Sequence, residues 1–264
     1  MRGRCSLSLV ATAEAYWVES IHESGRLQLP QRLKRGQELL QREWYNALVD
    51  SEEIQSEISV THLQNLAEIF VKYSVHERLG VHLIHGHAKI VAGNVMLGHS
   101  FTEPSGRWAK PTQMEKVNLA DVHGHIFKLV DGGRFVAYEY VEGKASDPSD
   151  ISTDFFKDLV EYLQSHHLDD TVGLQILGQS VENMAEFDFG GCGTVMLKEQ
   201  DISRATPFRT TGWFFTRNEG LVSFKGNETH MKTVQGPHKV LIDGKLAPDV
   251  PALKAILKRY EVID

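Results

Sequence analysis

The chain has 264 residues, of which 41% are hydrophobic and 24% charged, a composition that excludes a disordered protein and supplies a substantial core. Its formal charge of −7 and lack of any long Lys or Arg run argue against a protein whose primary partner is nucleic acid, because a duplex-binding face must displace counterions. No apolar run approaches the roughly 20 residues of a membrane span.

The first residues, Met1-Arg2-Gly3-Arg4 with Leu7, Leu9 and Val10, are too broken by Ser6, Ser8 and Glu14 to read as a signal peptide. Two cysteines, Cys5 and Cys192, make no disulfide framework. Both features place the protein in the cytoplasm by expectation. A helical part covers about 1–78, with a helix over 37–49 carrying Leu39, Leu40, Trp44, Leu48 and Val49 at helical spacing. A second helix starts near Thr61, with Leu63, Leu66, Ile69, Phe70 and Tyr73 along one face. From about 79 to 264 the pattern is that of a mixed sheet. Residues 81–87 and 89–97 read as one hairpin, and 102–112, with two prolines and a glycine, as a loop. Residues 122–130 and 134–141 form the clearest hairpin, joined by Asp131-Gly132-Gly133, the chemistry a tight primed turn requires.

A helix then follows, capped by Ser152 or Thr153 and striped by Phe155, Phe156, Leu159, Val160 and Leu163. Short strands are expected at 172–177, 184–189, 194–197, 210–216, 221–224 and 239–242, and a final helix over 250–260 with Pro251 in its first turn. The whole reads as one α+β domain over 1–264: N-terminal helices packed on a largely antiparallel sheet, with a mid-chain and a C-terminal helix.

Chemistry is signalled by the histidines, 13 in all. His85-Gly86-His87 and His123-Gly124-His125 are identical tripeptides, each placed on the first strand of an expected hairpin. Side chains alternate across a strand, so each pair shares a face, and the glycine between leaves the other face open to a backbone or ligand. Converging neutral imidazoles suit a divalent metal such as Zn or Fe. The candidate ligands are His85, His87 and His125. His123, Glu139 (with Tyr138 one of the two residues roughly opposite His125 across the hairpin) and Glu186 (in the alternating 184–189 strand) are the candidate catalytic groups. A cupin is excluded, because the positions where it carries glutamate after His-x-His hold Ile90 and Val91, or Lys128 and Leu129. His230 and His238 lie in a polar segment that could form a loop over a site. Cys192, in Gly190-Gly191-Cys192-Gly193, reads as a small residue in a tight turn rather than a nucleophile.

The stretch from Gly80 to His87, Gly-Val-His-Leu-Ile-His-Gly-His, resembles a strand motif of a large group of uncharacterised fungal proteins in which a Leu-His-x-His strand follows an N-terminal helical region. The segments 173–177 and 193–197 are similar as well. The resemblance implies small-molecule chemistry of secondary metabolism, of oxidative or hydrolytic type, on a small-molecule substrate. A second resemblance, to fungal arginine-containing cyclodipeptide synthases, implies instead a metal-free aminoacyl or acyl transferase using tRNA. That reading needs a local basic surface such as Arg32, Lys34 and Arg35. A third possibility is a non-catalytic binding protein whose histidines only tune a sheet surface.

Overall fold

The computed structural model describes residues 33, 38–50, 53, 57–144, 150–178, 181–233, 236–237 and 247–264. The expected strand at 239–242, His238, Cys5 and the basic residues Arg32, Lys34 and Arg35 lie outside them.

Four α-helices and eleven strands are present among the described residues. They are α1 (Glu38–Asn46), α2 (Val60–Lys72), β1 (Leu79–Leu83), β2 (Asn94–Phe101), β3 (Gly106–Gln113), β4 (Val122–Val130) and β5 (Arg134–Glu142). Then follow α3 (Thr153–Ser165), β6 (Val172–Ile176), β7 (Met184–Asp188), β8 (Thr194–Lys198), β9 (Thr206–Asn218), β10 (Leu221–Thr233), the two-residue β11 (Gly236–Pro237) and α4 (Val250–Arg259).

The sheet is not an open one flanked by helices. Its strands run β10-β7-β8-β3-β2-β5-β4-β6-β1-β9, and β9 pairs back onto β10, closing a ten-stranded barrel. Pairing is antiparallel except for β2 with β5 and β7 with β10. The long β9–β10 hairpin supplies the closing seam. This corrects the expectation of helices packed on a largely antiparallel open sheet.

The wall has a dry outer face. From β1, β4, β6 and β9, Leu79, Val81, Phe127, Leu174 and Phe215 join the buried stripes of α2 and α3 in one apolar cluster. Phe70 of α2 lies 4.6 Å from Phe215 and 5.1 Å from Phe155 between ring centroids. A second cluster packs α4, through Leu253 and Leu257, on Trp108, Phe187, Val195 and Leu197. Because strand side chains alternate, their neighbours point into the barrel. A smaller apolar group, Tyr45 of α1 and Leu48 just after it with Ile84, Ile90, Met96, Ala109, Ile126 and Tyr138, lies on the inner side, where α1 covers one end.

Local signals explain many elements. Gly132 and Gly133 take positive φ (80° and 73°) in the β4–β5 turn. Ser152 accepts a hydrogen bond from the Asp154 N–H and starts α3. Ser59 caps α2 in the same manner. Two expectations fail. Residues 106–113 are a strand despite Pro111. β8 pairs with β3 only over residues 106–109, so the edge at Pro111 needs no amide donor on that side. The segments 81–87 and 89–97 are not a hairpin either. β1 pairs with β6 and β9, whereas β2 pairs with β3 and β5.

Candidate metal centre

β1 ends at Leu83, so His85-Gly86-His87 is not on a strand. The chain turns across the end of the barrel beneath α1, where the Gly86 N–H donates to the Val49 carbonyl at 2.8 Å. A Cβ on Gly86 would stand 3.4 Å from Leu48 Cβ and 3.6 Å from the Tyr45 ring, so the turn packs directly against α1 and the residues that follow it. The turn carries His85 and His87 inward together.

They meet Glu186 of β7 and His230 of β10. The parallel pairing of those strands sets His230 directly beside Glu186 in register. One ligand atom from each of His85, His87, Glu186 and His230 lies within 4.8 Å of the others, a group able to hold a metal ion. His87 Nε2 is 2.7 Å from Glu186 Oε1, and His230 Nε2 is 3.0 Å from Glu186 Oε2. His230 Nε2 also lies 3.2 Å from His85 Nε2. All four side chains are buried.

Orientation is set from outside the group. His85 Nδ1 lies 2.8 Å from the Leu83 carbonyl, which can only accept. Nδ1 therefore carries the proton, and the Nε2 lone pair faces the centre. The His87 backbone N–H donates to the Tyr45 hydroxyl at 3.4 Å, tying the turn to α1.

Burial would raise the Glu186 carboxyl, but His87 and His230 outweigh it and hold the group well below its usual range. Burial likewise opposes charge on His87, yet the Glu186 carboxylate lifts that imidazole to about 9. Burial, with His87 and His230 alongside, keeps His85 well below its ordinary value. His230 is also lowered, chiefly by burial.

A second polar cluster occupies the same interior. Glu228 Oε2 is 3.1 Å from His82 Nε2, and Glu228 Oε1 is 3.2 Å from an Arg107 guanidinium nitrogen and 3.9 Å from His125 Nε2. These residues come from β10, β1, β3 and β4. Of these strands none pairs with another, so the contacts must cross the lumen. Asn227 bonds Gln175 of β6 across the same space, at 3.2 Å. Burial favours the neutral Glu228 acid, but its His125, His82 and Arg107 neighbours leave it strongly depressed. His125, buried and beside Arg107, falls to about 4. Burial opposes charge on His82, and Glu228 overcomes it. The two clusters touch: the His82 and His85 rings stack at 5.3 Å and 19°.

Of the six residues singled out from sequence, the structure brings His85, His87 and Glu186 together. His125 is not with them. It is the extra residue of a bulge in β4, between Gly124 (opposite Tyr140) and Ile126 (opposite Glu139), and it points toward Glu228. His123 is half-buried, with Nδ1 donating to the Gly143 carbonyl at 2.9 Å, away from the cluster. Glu139 is half-buried in the field of His87, Glu186, His82 and Arg107, and desolvation raises its carboxyl. His230, which the sequence allows in a loop over the site, is a strand residue of the cluster. Its signal was Glu228-Thr229-His230, two polar side chains two apart that share a strand face. Cys192 is buried, its carbonyl accepting from the Trp108 indole at 2.8 Å.

No helix among the described residues is long and apolar enough to cross a membrane. No protein-family model, curated protein or solved structure matches the chain.

Proposed function

We propose that the protein is a metal-dependent enzyme acting on a small molecule inside the barrel. The observation that carries this reading is the convergence of three imidazoles and one carboxylate, from three separate parts of the chain, on one buried point. A group of this kind is expensive to bury. The ion pairs of Glu186 with His87 and His230 offset part of that cost, and a cation at the common point would give every donor atom of the group a bond. Three nitrogens and one oxygen form a donor set of borderline softness, which suits Zn or Fe rather than Mg or Ca. Backbone fixation of His85 through Nδ1 is the usual support of a ligating imidazole.

A divalent ion held there would polarise a substrate oxygen, activate water or bind dioxygen. The protein's own part is to exclude bulk water, hold His85 in one tautomer and place Glu139 within the field of the centre as a proton-transfer group. The metal-free transferase reading rests on Arg32, Lys34 and Arg35, and no observation on the described residues favours it.

Elemental analysis of untagged protein, purified without chelator, tests the proposal. Near-stoichiometric Zn or Fe is expected in the wild type and should disappear in a His85→Ala/His87→Ala variant. A wild type that carries no metal and takes up neither added Zn nor Fe would refute it.

A further inference from the structure

The second cluster contains a cationic group that its neighbours do not exhaust. Arg107 has five N–H donors, and among the described residues its one hydrogen bond goes to Glu228 Oε1 at 3.2 Å. Its side chain keeps 19% of its exposure, so Arg107 is mostly buried but not sealed from solvent. Gly98 of β2 makes its position possible. A Cβ there would come within 2.6 Å of Arg107 Cδ, and the missing side chain lets the arginine stem lie flat across the strand.

Around it are buried polar atoms with no partner among the described residues. His125 Nε2 lies 3.9 Å from the oxygen that Arg107 binds, beyond hydrogen-bond reach. His82 Nδ1 and the Tyr138 hydroxyl are likewise unpaired. Orphaned polar atoms are rare in native interiors, and several in one lumen mark a place where a polar ligand is received.

We propose that Arg107 and His125 form a binding site for the carboxylate of a small organic acid, held in the lumen beside the metal centre. One edge of the guanidinium fork stays on Glu228, and the other offers the paired N–H groups that match a carboxylate. Glu228 fixes the fork without cancelling it, since His82 shares the same carboxylate. The site goes beyond the metal reading and does not depend on it, because none of its residues belongs to the ligand group.

Calorimetric titration of the full chain with acetate and with succinate, using acetamide as the neutral control, tests this on protein as purified and after chelation. Both carboxylates are expected to bind at least about tenfold more tightly than acetamide, and Arg107→Gln to remove roughly tenfold or more of that affinity. Gly98→Ala displaces the guanidinium without removing it and should weaken acetate binding in the same direction. It carries the test if Arg107→Gln does not fold, with folding checked by circular dichroism. Equal affinity for acetate and acetamide, or full acetate affinity in a folded Arg107→Gln or Gly98→Ala protein, would overturn the proposal. Metal content measured on the same samples should not change with Arg107→Gln. A metal-free wild type that still binds acetate through Arg107 would contradict the metal reading alone and uphold this one.

Discussion

Two carboxylates inside one barrel meet nearly the same neighbours with one difference. Glu186 faces three imidazoles, and Glu228 faces two imidazoles and a guanidinium. In the Glu228 cluster, Arg107 is a permanent cation supplied by the chain itself, so the carboxylate has its counter-charge without any metal. The Glu186 cluster has no such residue, and only a shared proton on His87 offsets its charge. Both clusters draw on the same two segments: β10 supplies Glu228 to one and His230 to the other, and the chain through β1 supplies His82, then His85 and His87. The comparison teaches that histidine and glutamate alone do not define a metal site. What matters is whether the chain fills the cationic position.

The largest contrast should come from removing each carboxylate in turn. Glu186→Gln is expected to lower Zn affinity by more than the roughly 10–100-fold that loss of a supporting residue costs. Glu228→Gln should leave Zn affinity within about tenfold, yet cost about 3 kcal/mol of stability by stranding Arg107 in the interior. Competition titration with a chromophoric chelator and urea unfolding separate the two effects. Equal losses of metal from both variants would erase the distinction.

The fold was legible where local chemistry decided it. The Asp131-Gly132-Gly133 turn, the Ser152 cap and the stripe of α3 are short-range signals, and each element formed where they pointed. Closure of the barrel was not legible. β1 (Leu79–Leu83) and β6 (Val172–Ile176) are buried at every position, so the inward His82 and Gln175 do not stand out from an ordinary buried strand. For the site, His85, His87 and Glu186 could be named because they sit in a repeated or alternating pattern. His125 looked equivalent to His87, but its bulge turned it to the other cluster, and a bulge leaves no mark in a single sequence. Glu228-Thr229-His230 marks a polar strand face, but that His230 meets Glu186 follows from the parallel β7–β10 pairing, which joins segments far apart in the chain.

Acid should act on the Glu228 cluster. The His125 imidazole, about 4 in the folded chain against an ordinary 6.5, stays neutral when folded and takes a proton when unfolded. Its depressed value therefore costs nothing above pH 6.5 and removes stability progressively as pH falls toward 4, by on the order of 3 kcal/mol. His82 is shifted upward and acts in the opposite sense, adding stability below its unfolded value and losing it as pH rises. Thermal midpoints of wild type and His125→Asn between pH 7 and 4 are expected to show a shallower fall in the variant. Parallel curves would count against the assignment.

The smallest effect should come from outside the lumen. Ser152→Ala removes the α3 cap and is expected to cost about 1 kcal/mol in urea unfolding, with metal and acetate binding unchanged. A change in Zn affinity there would mean that the outer jacket and the lumen are not separable.

The central claim, that four side chains meet on one ion, is tested most directly by X-ray absorption of Zn-loaded protein, wild type beside His230→Ala. The account requires a first shell of three imidazole nitrogens and carboxylate oxygen in the wild type, with one imidazole lost in the variant. A shell without imidazole, or one that His230→Ala leaves unchanged, would contradict it.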